Sequence, residues 1–166
     1  MTKVFYGWKI AAAAVALNLI YSAFLLQAFG AYVAALSAEF GWSKTALAIG
    51  AAIQSIEGAV LGPALGWLVD RYGPRLLIRF GLVALAAGFA ALSQIQSLTG
   101  FYFAMAVIAV GTTFSGYFPL SVTLMHWFQK HRARALSLQN LGLAAGGLLV
   151  PMVAWGMEAW GWRTVA

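Results

Sequence analysis

Hydrophobic and polar positions along this chain neither alternate nor recur every three to four residues. They fall into unbroken apolar runs, such as IAAAAVALNLI over residues 10–20 and FGLVALAAGFAAL over residues 80–92, closed by short polar gaps. A hydrocarbon core about 30 Å thick needs about 20 apolar residues in a helix. Five segments reach that length: residues 8–36, 46–69, 76–97, 99–125 and 134–157. Inside lipid the backbone must satisfy its own hydrogen bonds, which leaves helices or a closed barrel. Barrel strands would alternate over about ten positions, whereas these runs are apolar all round. The pattern predicts an all-α, polytopic helical membrane protein. Its first run is much longer than the roughly 7–15 residues of a signal-peptide core, so it reads as an uncleaved first span.

Composition agrees with that class: 63% of residues are hydrophobic and 8% charged, against a soluble norm of about 25% charged. A net charge of +6 could suit nucleic acid, but the bases sit in the gaps between spans and form no stripe, so no nucleic-acid partner is expected. Topology accounts for them better. Lys3, Lys9, Arg71, Arg75, Arg79, Lys130, Arg132 and Arg134 fall on one side of the alternating spans, with only Lys44 and Arg163 opposite. The positive-inside rule makes the richer side cytoplasmic, together with the N-terminus. The expected location is the cell membrane, plasma or bacterial inner. Trp8, Trp42, Trp127, Trp160 and Trp162 fall near span ends, as interfacial anchors do. There is no cysteine, and His126 and His131 share one basic gap without a second ligand cluster. Neither a metal nor a cofactor is expected.

The second span carries the most ordered motif. Gly58, Gly62 and Gly66 recur every four residues and leave a groove for close helix approach. Pro63 donates no backbone hydrogen bond and predicts a kink. Asp70 stands one turn beyond Gly66, followed by Arg71, Gly73, Pro74 and Arg75. Its carboxylate can pair with a base or cap an approaching helix through the helix dipole, while Gly73-Pro74 reverses the chain. Plain helix packing and an ordinary loop acid are the simpler alternatives.

The stretch GWLVDRYGPR, residues 66–75, resembles the signature between helices 2 and 3 of the major facilitator superfamily, the twelve-helix secondary transporters. The resemblance extends to Tyr6-Gly7-Trp8, Phe40-Gly41-Trp42-Ser43, Trp127-Phe128, Arg134-Ala135-Leu136-Ser137 and Trp160-Gly161-Trp162-Arg163. This ensemble is similar to the branch of monocarboxylate carriers and oxalate/formate antiporters. Residues 1–166 then look like an incomplete N-terminal half, about five of twelve helices, with the C-terminal half missing as a partner. The resemblance implies that Asp70, Arg71 and Arg75 form a latch with helix 11 of the other half, Gly66 and Gly73 permitting close approach. Drug exporters of the superfamily carry an arginine in helix 4 and a Gly-Pro pair in helix 5. Both are absent here, which demotes drug export.

Inside the spans, Glu57 is the ionisable group near mid-membrane, with Gln54 on its face. An acid at that depth is a candidate for proton coupling; the alternative is a hydrogen-bonded acid at a helix contact. Asn18, Tyr21 and Ser22 share one face of span 1, and Gln27 lies on about the opposite side of a straight helix. By the resemblance, Gln27 takes the place of a substrate-linked lysine in animal monocarboxylate carriers. Thr113 and Tyr117 on span 4 and Asn140 on span 5 complete the candidate cavity residues with Asn18, Tyr21 and Gln27. No cation lies at membrane depth, since Arg79 snorkels to the surface; the resemblance places substrate-binding bases in the other half. No nucleophile, base dyad or phosphate loop points to an enzyme. The expectation is secondary active transport of a small organic anion, a monocarboxylate or dicarboxylate, by alternating access with proton symport or anion exchange. The rivals are a superfamily transporter of another small solute and a nontransporting membrane sensor.

Overall fold

Several polar gaps become helix ends by supplying a capping serine or a glycine at positive φ. The computed structural model describes residues 6–165; Lys3, counted above with the basic side, lies outside them. The helices are α1 (Tyr6–Tyr21), α2 (Phe29–Phe40), α3 (Lys44–Tyr72), α4 (Pro74–Ser93), α5 (Leu98–Ser115), α6 (Tyr117–Trp127), α7 (Arg132–Ala145), α8 (Val150–Trp160) and α9 (Trp162–Val165). Ser43 and Ser97 cap α3 and α5 by accepting hydrogen bonds from the amides of Ala46 and Gly100, both at 3.1 Å. Gly73, at φ 76°, turns the chain into α4, which starts on Pro74.

Five stretches are long and apolar enough to cross a membrane: Tyr6–Gln27, Lys44–Tyr72, Pro74–Ser93, Leu98–Trp127 and Arg132–Trp160. The protein is an all-α, polytopic membrane protein. We number these spans 1 to 5. Three are not continuous α-helices. Span 1 passes through a π-helical segment at Ser22–Gln27 before α2, span 4 breaks at Gly116 between α5 and α6, and span 5 tightens to a 3-10 segment at Gly146–Leu149.

The core divides at those interruptions. Toward the basic end, Ala11, Ala14, Leu120, Leu124, Phe128 and Ala135 form one buried cluster. Toward the far end, Leu36, Leu47, Leu92, Phe101, Ile108, Met157 and other residues form a larger one. Spans 3 and 4 make the closest seam, backbone on backbone. A Cβ built on Gly81 would sit 2.5 Å from the Ser115 amide nitrogen, and one on Gly111 would sit 2.7 Å from that of Leu85. Glycine is required at both positions because only hydrogen fits between the backbones.

Candidate functional site

The membrane-depth acid of span 2 meets a polar partner on span 4. Thr113 Oγ1 donates to Glu57 Oε2 at 3.0 Å, while Glu57 Oε1 is enclosed and has no protein hydrogen-bond partner. Thr113, with Thr112, Tyr117 and Phe118, also lines a cavity of about 260 Å³ whose other wall is Gly58, Gly62 and Leu65 of span 2. Two candidate cavity residues, Thr113 and Tyr117, therefore lie along the glycine stripe. No ion pair involves Glu57 among the described residues.

That stripe is open. A Cβ on Gly58, Gly62 or Gly66 would meet nothing within 4 Å. Pro63 lies within the continuous helix α3 and is exposed. At the end of the stripe Asp70, Arg71 and Arg75 are all exposed, and none forms an ion pair among the described residues. The Arg71 guanidinium instead lies 5.2 Å from the Trp67 ring centre and 5.8 Å from that of Tyr72, a cation–π arrangement.

The remaining candidates are dispersed. Asn18 and Tyr21 line a different cavity, about 310 Å³ and mostly apolar, between span 1, span 3 and the break in span 4. Asn18 donates to Ala14 O at 2.9 Å, and its Oδ1 is buried without a protein partner. Ser22, on the same helix face, turns to span 5, where a Cβ on Gly146 would come within 2.7 Å of Ser22 Oγ. Gln27 is exposed and approaches Gly147. The π-helical segment thus lies between Asn18 and Gln27 without bringing them to one cavity. Asn140 is exposed and lines neither cavity.

Its neighbour Gln139 escaped the sequence reading. Gln139 is fully buried; its amide donates to Tyr117 O at 2.9 Å, and its Oε1 lies 3.1 Å from the Ser121 hydroxyl. It ties span 5 to span 4 just after the Gly116 break. A signal existed: Ala135, Gly142 and Gly146 bracket it at helical spacing on the buried face. A second group, at the far end, was also missed. Arg163 pairs with Glu39 at 2.6 Å, and the Trp162 indole donates to the same carboxylate. Arg163 also lies over the rings of Phe40 and Trp162. The cluster fastens the end of α2 to the exit of span 5.

Five apolar spans, a polar bridge between spans 2 and 4 and an open glycine face on span 2 define a polytopic helical membrane protein. The family model of the Major Facilitator Superfamily matches residues 13–166, and the chain belongs to that superfamily. It is 28% identical to monocarboxylate transporter 11 of Mus musculus over 160 residues, 95% of this chain and 35% of that protein. It is 30% identical to the fujikurins efflux protein of Gibberella fujikuroi over 111 residues, 64% of this chain and 24% of the relative. With the riboflavin transporter RibJ of Trypanosoma cruzi it shares 26% identity over 124 residues, 73% and 26% of the two chains. The chain therefore spans between about a quarter and a third of the length of these relatives. No solved structure matches it.

Proposed function

We propose that this chain is part of a secondary active transporter that moves a small organic anion, a monocarboxylate or dicarboxylate, across a cell membrane by alternating access. The observation that carries the reading is the face of span 2. It presents three glycines with nothing within 4 Å, beside Thr113 and Tyr117 of span 4, and ends at the unpaired Asp70. A smooth, small-residue face ending in an unpaired acid suits a surface against which another helix closes and opens. Asp70, Arg71 and Arg75, flanked by Gly66 and Gly73, act as the latch of that contact. The basic end is cytoplasmic in this reading, with the N-terminus. The carboxylate assignment draws on the monocarboxylate transporter relative, which is matched over nearly the whole chain.

Glu57 is the proton-coupling group, and Thr113, which holds one of its oxygens, orients it. Tyr117 contributes to the cavity beside them; Asn18, Tyr21, Gln27 and Asn140 contribute elsewhere on spans 1 and 5. A second reading is favoured by one observation: Glu57 lies at membrane depth and no base pairs with it among the described residues. A membrane-depth acid without a paired cation suits an uncharged solute, in keeping with the riboflavin transporter among the relatives. The test is uptake by the full-length protein in liposomes, with radiolabelled lactate, pyruvate, oxalate, formate and riboflavin, with and without a pH gradient. Carboxylate flux that responds to the gradient and loses that response in Glu57→Gln is expected. Riboflavin flux alone would replace the first reading with the second, and ligand-dependent signalling without flux would favour a sensor.

A further inference from the structure

We propose that the basic end carries a pocket for the phosphate headgroup of an anionic membrane lipid, between the start of span 1 and the span 4–5 connection. This goes beyond the transport reading and does not depend on the cargo. A cavity of about 280 Å³ is lined there by Trp8, Trp127, Phe128, Gln129, Lys130 and His131. Its floor is aromatic and tightly interlocked. Trp8 packs edge-on against the buried Phe128 at 5.0 Å, and Tyr6 packs against Trp127 at 5.3 Å between ring centres.

The rim is positive. Lys130 and His131 line the cavity and are exposed, and Arg132 and Arg134 follow at once on α7, whose first turn has no acidic side chain. Arg132 Nε donates to Phe128 O at 3.0 Å, which anchors its guanidinium beside the aromatic floor, and no carboxylate pairs with it among the described residues. Of the four acids in the chain, Glu39 pairs with Arg163 at the far end, Glu57 is inside span 2, Glu158 lies near the end of α8 and Asp70 is unpaired. The bases therefore repel one another without a protein counter-charge. An anion seated among them removes that repulsion.

Chemistry selects the occupant. A free anion would need only the bases, whereas aromatic rings beneath them suit a molecule with a charged head and an apolar body. Tryptophans at a span end sit at headgroup level, and basic pockets between spans bind anionic headgroups. A phosphatidylglycerol-type lipid satisfies both halves of the cavity.

The experiment uses full-length protein in mixed phosphatidylcholine and phosphatidylglycerol nanodiscs, with bound lipid read by native mass spectrometry. Wild type is expected to retain phosphatidylglycerol selectively. Lys130→Gln and Arg132→Gln should each weaken that retention by roughly fivefold, while Arg79→Gln, equally basic but away from the cavity, keeps it. Lys130→Arg, which preserves charge, should restore retention and guards against a mere folding defect. Equal loss in Arg79→Gln, unchanged retention in both cavity variants, or displacement of the lipid by inorganic phosphate alone would overturn the proposal.

Discussion

Replacing Gly81 with alanine tests the backbone-on-backbone seam between spans 3 and 4. The added Cβ would lie 2.5 Å from the Ser115 amide nitrogen and 2.8 Å from both Gly111 O and the Phe114 carbonyl carbon. Ordinary contact begins at 3.4 Å, so spans 3 and 4 must separate locally by about 0.9 Å. All three neighbours are backbone atoms, and no rotamer change can relieve them. Overpacking of this kind costs about 1–3 kcal/mol, against which alanine recovers at most about 1 kcal/mol of helix propensity. The midpoint of thermal unfolding of the full-length protein in detergent, followed by fluorescence-detected size exclusion, should fall by several degrees. Gly62→Leu supplies the contrast, because a Cβ there meets nothing within 4 Å. It should leave the midpoint nearly unchanged and slow transport, if bulk on the open face obstructs the closing of another helix. A Gly81→Ala protein that unfolds within about a degree of wild type would refute the seam as described.

Gln139→Leu removes a buried amide bound to Tyr117 O and Ser121; it should destabilise by about 1–3 kcal/mol in thermal unfolding, while Ser137→Ala, exposed on the same helix and bonded only to Ala133 O, should stay within about 0.5 kcal/mol. Glu39→Gln breaks the ion pair with Arg163, whose side chains are 37% and 45% exposed, so its cost should be at most about 1 kcal/mol; a loss well beyond that in the same assay would show that the pair is shielded from water. Asp70→Asn should leave the unfolding midpoint unchanged, since no ion pair is lost among the described residues, but should slow liposome uptake; unaltered uptake would remove the latch role.

Sequence carried the class and the family because both are written in quantities that survive without coordinates: run length, charge placement and the spacing of Gly66, Asp70, Gly73 and Arg75. It did not carry which helix faces touch. In a soluble helix the apolar stripe marks the buried side, but lipid is as apolar as a protein core, and a helix apolar all round shows no phase. Two glycine sets were therefore indistinguishable by periodicity: Gly58, Gly62 and Gly66, which face open space, and Gly81, Gly88 and Gly111, which form the seam. The same blindness explains Gln139 and Asn140, adjacent amides of which one is fully buried and the other exposed. Glu57 was visible for its chemistry, but its bond to Thr113, 56 residues away in sequence, was not.

Helix interruptions compound the loss of phase. A straight helix places Asn18 and Gln27 about half a turn apart, but the π-helical segment intervenes between them, so angles counted along the chain no longer hold beyond Tyr21. The interruptions in spans 1, 4 and 5 also coincide with the gap between the two main core clusters. The regular α-helical ladder is thus interrupted where the two clusters part, while Phe114 and Val122, on either side of Gly116, both pack against a third buried cluster of Leu65, Val69 and Leu77. The ties at this level run between spans: Ser22 against Gly146 joins span 1 to span 5, and Gln139 bound to Tyr117 O and Ser121 joins span 5 to span 4. Gln139 therefore governs more than its own burial energy. It holds the first turns of α6 against α7, and Tyr117 there lines the same cavity as Thr113, the partner of Glu57.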